Sequence, residues 1–206
     1  MTFHARFDSD PDAFHASFGE IQMLSNEGAE EEYDRGYADG IVAAAGTVDS
    51  IITRTITAIE SDADKVGDHV FYTCRLLESA IFPNATSCGD NSFRDCDRLT
   101  TAVFPNAEEL QGGSFRGCSL LEYIYLPKVT RMYASVFQGC SKLKTVILKA
   151  NAVCSISNIN VFSDTPIASG GGFVYVPDDL VAAYQANSTW KTYAAQIKPI
   201  SELPNI

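Results

Sequence analysis

The chain has 206 residues, of which 46% are hydrophobic and 20% charged, as is ordinary for one globular domain with an appendage. Its formal net charge is −11, it has no basic stripe, and it has no run of 18 apolar residues. We therefore expect neither a nucleic-acid-binding protein nor a chain with a membrane span.

The negative charge is concentrated at the amino-terminal end. Residues 1–46 hold ten acidic side chains against two arginines, which accounts for −8 of the total of −11. The first twenty residues have neither a cationic start nor an apolar core, so the sequence predicts no ordinary signal peptide.

A short duplication opens the chain. FHARF begins at Phe3 and FHASF begins at Phe14, and the turn-forming stretch DSDPD lies between them. We expect two short strands or extended arms that carry phenylalanines on one side. These phenylalanines form either a local core or a pair of anchors for a partner.

The aspartates of that turn raise the question of a calcium site. Asp8, Asp10 and Asp12 alternate as calcium ligands do, but Ala13 stands where such a loop needs Gly and Gly19 where it needs Glu. The sequence thus predicts no calcium site, no other metal site and no cofactor.

Residues 26–46 have the pattern of a helix. Acidic residues crowd its start, where they suit the helix dipole, and Tyr33, Tyr37 and Ile41 form a stripe at helical spacing. Such a helix is either a linker or a cover for the first coil of the domain that follows. We assign residues 1–46 to an attachment arm and helix, with these candidate assembly residues: Phe3, Phe7, Phe14, Phe18, Tyr33 and Tyr37.

The middle of the chain repeats every 22 residues. The four aligned units are FYTCRLLESAIFPNA from residue 71, FRDCDRLTTAVFPNA from 93, FRGCSLLEYIYLPKV from 115 and FQGCSKLKTVILKAN from 137. A fragment of a fifth unit occupies residues 55–70. Units of this length bury their apolar faces only by stacking, so the period predicts a solenoid.

Each unit contains a short strand with period-2 alternation. The third and fifth residues after each repeated leucine are apolar and are expected to face the core, as in Ala80 and Phe82. The intervening residues are expected to face outward and to line up from coil to coil. The outward residues that we predict to bind a ligand are Ile81, Val103, Tyr123, Tyr125 and Ile147. Two alternatives remain open, since such residues also suit any exposed sheet and the stripe could pack on the amino-terminal arm.

One cysteine recurs in each coil. A fixed position in every repeat is typical of a small buried apolar side chain, because a free cysteine packs as a small hydrophobe. The chain has no C-x-x-C pair for a metal, and a ladder of strands holds equivalent side chains parallel, which disfavours disulfides. We predict reduced, buried and structural cysteines at 74, 96, 118 and 140.

The repeated pattern resembles the BspA-type leucine-rich repeat. Four units of F-x-x-C-x-x-L-x-x-[IA]-x-[LF]-P carry the resemblance, although Lys149 replaces the last proline and Phe162 follows Phe137 by 25 residues. Residues 173–200 resemble the closing segment of such proteins. The resemblance implies a mainly β, right-handed solenoid of four to five coils over residues 47–206, with a helical cap from about residue 177. It also implies binding rather than catalysis.

The front end resembles small virion proteins of phages and prophages from gut Firmicutes. The matching stretches are FHASFGE from Phe14 and YDRGYADG from Tyr33. This resemblance implies a tail-associated component, which leaves the cell by lysis and needs no export signal.

The sequence therefore predicts a non-enzymatic recognition protein of the virion that binds a host surface ligand, either protein or glycan. Other virion proteins, or further copies of the chain, would be its partners at the amino-terminal arm. The alternative is a bacterial surface or secreted adhesin. An enzyme is not predicted, because the chain offers no Ser/His/Asp motif, no paired histidines and no phosphate-binding loop.

Overall fold

The computed structural model describes residues 4–7 and 57–204. Thirteen short strands account for most of its regular structure: β1 (His4–Phe7), β2 (Ala58–Ser61), β3 (Lys65–Val66), β4 (Ser79–Ile81), β5 (Ser87–Cys88), β6 (Thr101–Val103), β7 (Glu109–Leu110), β8 (Tyr123–Leu126), β9 (Arg131–Met132), β10 (Thr145–Leu148), β11 (Ser155–Ile156), β12 (Phe173–Val176) and β13 (Ile197–Pro199).

The helical elements of the described residues lie near the carboxyl-terminal end. They are the α-helix α1 (Val181–Ala186) and four 3₁₀ helices at Ile159–Phe162, Asp178–Leu180, Lys191–Gln196 and Ile200–Glu202. Within residues 4–7 and 57–204, no helix has the length and apolar character that a membrane crossing needs.

The strands form two sheets, and within each sheet neighbouring strands are parallel. The main sheet has the order β1-β2-β4-β6-β8-β10-β12-β13, and the second sheet has the order β11-β9-β7-β5-β3. From β2 to β12, successive strands along the chain therefore belong alternately to the main and the second sheet. This is the arrangement of a β-solenoid. The prediction of a mainly β solenoid is confirmed, and its fifth-unit fragment supplies β2 and β3.

The 22-residue period of the sequence fixes the register of the main sheet. Ile81, Val103, Tyr125 and Ile147 are direct neighbours on β4, β6, β8 and β10. The next step is longer, since Ile147 pairs with Tyr175, 28 residues on. The 3₁₀ helix Ile159–Phe162 and the loop after it occupy the extra length, as the wider spacing of Phe162 predicts.

The core lies between the two sheets and is built from stacked ladders. Phe93 stacks on Phe71 with ring centroids 5.0 Å apart and on Phe115 at 5.3 Å. The ladder continues through Phe137 to Phe162 at 5.8 and 5.7 Å. Offset stacking at these separations adds about 0.5–1.5 kcal/mol per pair to the free energy of burial.

The turns between the sheets are also bonded from coil to coil. The backbone N–H groups of Phe71, Phe93 and Phe115 donate to the carbonyls of residues 92, 114 and 136 at 2.7–3.0 Å. Each repeated phenylalanine thus places its ring in the core and its backbone N–H in a hydrogen bond to the next coil. Each coil is anchored along its turns as well as along its strands.

All six cysteines are reduced and buried, as predicted for the four that repeat. Three thiols donate hydrogen bonds to phenylalanine carbonyls of the preceding coil: Cys96 to Phe71 at 3.0 Å, Cys118 to Phe93 at 3.1 Å and Cys140 to Phe115 at 3.0 Å. The repeated cysteine therefore fills space and also satisfies a carbonyl.

Aromatic residues of the carboxyl-terminal segment pack on the last repeat. The indole N–H of Trp190 donates to the Cys154 carbonyl at 2.6 Å, and the Cys154 N–H donates to the Tyr184 hydroxyl at 2.8 Å. Tyr193 meets the ring of Phe162 edge-on at 5.3 Å. These contacts continue the phenylalanine ladder into the helical segment.

The two ends of the main sheet differ. β1 pairs in parallel with β2, so the first of the two predicted amino-terminal strands is present and extends the main sheet. β13 is the strand at the other edge and includes Pro199. The predicted helix at 26–46 and the assembly residues Phe3, Phe14, Phe18, Tyr33 and Tyr37 lie outside the described residues, and Phe7 ends β1.

Each turn contains backbone in the left-handed region, which the sequence pattern did not reveal. One such position recurs as Thr73, Asp95, Gly117 and Gly139, with φ between 58° and 77°. Glycine occupies it at no steric cost, whereas a side chain in this region costs about 1–2 kcal/mol. The two coils with Thr73 and Asp95 at this position therefore carry that cost in the free energy of folding.

A series of Gly→Ala substitutions tests this assignment. At Gly117 the added methyl group would lie 2.3 Å from the Asp95 carboxylate in addition to the backbone cost, whereas at Gly139 the nearest atom is 3.7 Å away. We expect the free energy of unfolding to fall by about 2–4 kcal/mol for Gly117→Ala and by about 1 kcal/mol for Gly139→Ala. Gly171→Ala, with its nearest contact at 3.6 Å and no left-handed φ, is the control and should change little. An equal effect at all three sites in urea unfolding would contradict the assignment.

Thiol chemistry tests the core. Burial raises the pKa of both Cys88 and Cys154 to about 12, so that on the order of one in 10,000 of these thiols is ionised at pH 8. We expect a thiol reagent at pH 8 to leave the native protein unlabelled for hours and to label all six cysteines after unfolding. Rapid labelling of the folded chain would place the cysteines at the surface.

Candidate ligand-binding face

The outer face of the main sheet is the surface that points away from the core, and side chains cover it in two rows. The first row contains Ile81, Val103, Tyr125, Ile147 and Tyr175, and the second contains Ser79, Thr101, Tyr123, Thr145 and Phe173. Their chain neighbours Ala80, Ile124, Val146 and Val174 lie in the core, so strand alternation places both rows outside.

Three residues of these rows are large, apolar and exposed. Val103 retains 39% of its accessible surface, Tyr123 38% and Tyr125 36%. Tyr123 and Tyr125 stand two residues apart on β8, so their side chains leave the same face about 7 Å from each other. Partial burial, and then the neighbouring Tyr125, raise the pKa of Tyr123. The Tyr123 phenol therefore stays neutral at physiological pH.

The sequence prediction is wrong for Ile147 as an accessible residue. Only 3% of its surface is exposed, although it lies on the outer face and outside the core cluster. The cause is its position between Tyr125 and Tyr175, which are its direct neighbours in register on the two adjacent strands. Cross-strand neighbours on one face lie within contact of each other, and two tyrosine rings are large enough to cover a side chain between them. Ile81 is half-buried.

Sequence reasoning missed the aromatic pair on β12. Phe173 and Tyr175 lie with ring centroids 6.3 Å apart, and the Lys198 ammonium lies 5.9 Å from the Phe173 ring centroid. The period-2 alternation in FVYV could have indicated that Phe173 and Tyr175 face outward. The wider spacing of the last repeat concealed that they lie in the same rows as Tyr123 and Tyr125. Two aromatic pairs thus stand on either side of Thr145 and Ile147.

The outer face of the main sheet is largely uncharged. The side chains of both rows are uncharged from β4 to β12, with Glu60 and Lys198 at the ends. Over residues 4–7 and 57–204, no group of three or more His, Cys, Asp or Glu is placed to hold a metal ion. This geometry offers apolar and aromatic side chains for contact with a ligand.

Comparison with known proteins identifies the repeats. A sequence model described as "BspA type Leucine rich repeat region" matches residues 52–169 in six copies. No curated protein matches the chain.

One solved structure shares the fold. A leucine-rich repeat protein from Bacteroides ovatus is 21% identical with a TM-score of 0.55, and the match covers 70% of this chain and 36% of that one. The T. pallidum leucine-rich repeat protein is 20% identical with a TM-score of 0.46, and the match covers 60% of this chain and 52% of that one. The chain therefore spans between about a third and a half of the length of these proteins.

Paired substitutions on the outer face separate buried from exposed positions. We expect Ile147→Ala to lower the free energy of unfolding by about 2–4 kcal/mol, because it removes a covered side chain from between two rings. Val103→Ala, at 39% exposure in the same row, should cost less than about 1 kcal/mol. Equal costs in chemical denaturation would mean that Ile147 is exposed after all.

Proposed function

Because the chain belongs to the BspA-type leucine-rich repeat family, we propose that it is a non-enzymatic binding protein that holds its ligand on the outer face of the main sheet. The fold supports a binding or structural role. The residues that carry recognition are Tyr123, Tyr125 and Val103, with Ile81 at the edge of the surface.

One observation carries this assignment. Four large apolar side chains are exposed within residues 57–204, namely Val103, Tyr123, Tyr125 and Ile159. Three of the four lie together on the adjacent strands β6 and β8. Clustering of this kind marks interaction surfaces, and tyrosine is favoured there because a rigid ring supplies area and a hydroxyl supplies a hydrogen bond.

The remaining architecture is proposed to serve this face. The coils form a right-handed solenoid of four to five 22-residue units over residues 47–206, and the segment from about residue 177 caps its end. Trp190, Tyr184 and Tyr193 support the cap, since they contact the last repeat. Residues 1–46 form the attachment arm, with β1 as its point of contact with the main sheet.

Two settings fit the function. In one, the arm joins the solenoid to other proteins of a phage tail and the outer face meets the host surface. In the other, the chain is a bacterial surface or secreted adhesin. Both settings use the same face of the main sheet. They differ in the genes expected beside this one: tail and lysis genes for a phage tail protein, and export or anchoring genes for a bacterial adhesin.

The test is a double substitution on β8. Tyr123→Ala with Tyr125→Ala should abolish binding of the labelled protein to bacterial cells and to arrayed glycans. Because both rings are more than a third exposed, the melting temperature should fall by a few degrees at most. Ile159→Ala, which removes an exposed apolar side chain elsewhere, is the control and should bind normally. Normal binding by the double variant, or its unfolding, would remove the outer face from consideration.

A further inference from the structure

The charge of the solenoid changes sign along its length. Residues 57–122 hold eleven acidic and five basic side chains, a net charge of −6, whereas residues 123–163 hold five basic side chains and no acidic one. The five cations are Lys128, Arg131, Lys142, Lys144 and Lys149, and all are exposed. The positive stretch begins at Tyr123, the first tyrosine of the candidate face.

Three of these cations have partners in the preceding coil. Lys142 pairs with Glu122 at 3.9 Å, Arg131 pairs with Glu109 at 3.2 Å, and Lys128 donates to the Asn106 side-chain oxygen at 2.6 Å. Lys144 and Lys149 have no carboxylate within 4 Å among residues 57–204. Two ammonium groups are thus available to a ligand.

Lys144 and Lys149 lie at opposite ends of β10. Lys144 comes directly before β10 and Lys149 directly after it, and β10 is the strand next to β8. The five residue steps of extended chain from Lys144 to Lys149 place their Cα atoms about 16 Å apart. The tyrosine rings of Tyr123 and Tyr125 lie between these two positions along the strand direction.

We infer, on the basis of the proposed function, that this face binds an anionic polysaccharide that lies along the strand direction. The apolar C–H faces of its sugar rings rest on Tyr123 and Tyr125. Its carboxylate or sulfate groups meet Lys144 at one end and Lys149 at the other. Complementary charge of this kind raises the rate of encounter and fixes the register of the bound polymer.

The geometry favours a polysaccharide over an acidic polypeptide. β8 is an interior strand, paired with β6 and β10, so a peptide cannot add to it as a further strand. The space between the tyrosine pairs is filled by Ile147, which leaves no pocket there for an anchoring side chain. An exposed pair of tyrosines with cations at either end of the neighbouring strand suits a polymer of rings with repeated charges.

The experiment measures binding of the full-length protein to polygalacturonate, dextran sulfate, neutral dextran and poly-L-glutamate by biolayer interferometry. Lys144→Glu with Lys149→Glu is the test variant. Lys65→Glu with Lys191→Glu is the matched control, because these exposed lysines lie elsewhere and give the same change in net charge. Both variants are checked for an unchanged melting temperature.

We expect at least one anionic polysaccharide to bind and neutral dextran not to bind. The test variant should bind at least about tenfold more weakly, the control within about twofold of the parent, and 0.5 M salt should weaken binding further. Tyr123→Ala with Tyr125→Ala should also lose this binding.

The inference is overturned if no anionic polysaccharide binds, or if the test and control variants lose affinity equally. It is also overturned if poly-L-glutamate binds as tightly with the same dependence on Lys144 and Lys149, which would assign the face to an acidic protein. In each case, loss of cell binding by the tyrosine double variant would leave the proposed function standing. Unimpaired cell binding by that variant would remove both.

Discussion

The repeated phenylalanines of the solenoid pack against their own equivalents one coil away, and this constraint governs the rest of the structure. Phe93 lies between Phe71 and Phe115, and the thiol of Cys118 reaches the carbonyl of Phe93. A side chain that suits one level must therefore suit the levels on both sides. The core is accordingly repetitive, because an odd residue would disturb two interfaces at once.

The same constraint decides which features can be predicted from the sequence. Residues such as Phe115, Cys118 and Leu121 recur at a fixed spacing, and their burial follows from the period and from strand alternation. The left-handed backbone at Thr73 and Asp95 could not be read in this way. The position is occupied by Thr, Asp and Gly in different coils, so only the shared φ reveals that it is one site.

The outer face required the structure for a different reason. Whether Ile147 is accessible depends on the size of its cross-strand neighbours, and one of these, Tyr175, lies 28 residues away because of the longer last repeat. Period and alternation place a side chain on a face, but they do not determine what stands beside it. Side chains on this surface need not fit the stacked core, which is why the surface can carry residues such as Tyr123 and Lys149 that do not recur from coil to coil.

The proline in β13 has a consequence for the molecule at high concentration. A parallel sheet that grows by one strand per coil presents at its last strand a template on which another molecule could continue the pattern. Pro199 lies in that strand, opposite Val176, and has no N–H to offer to an incoming chain. End-to-end polymerisation into fibres is thereby opposed at the carboxyl-terminal edge of the sheet, even where the molecules are highly concentrated.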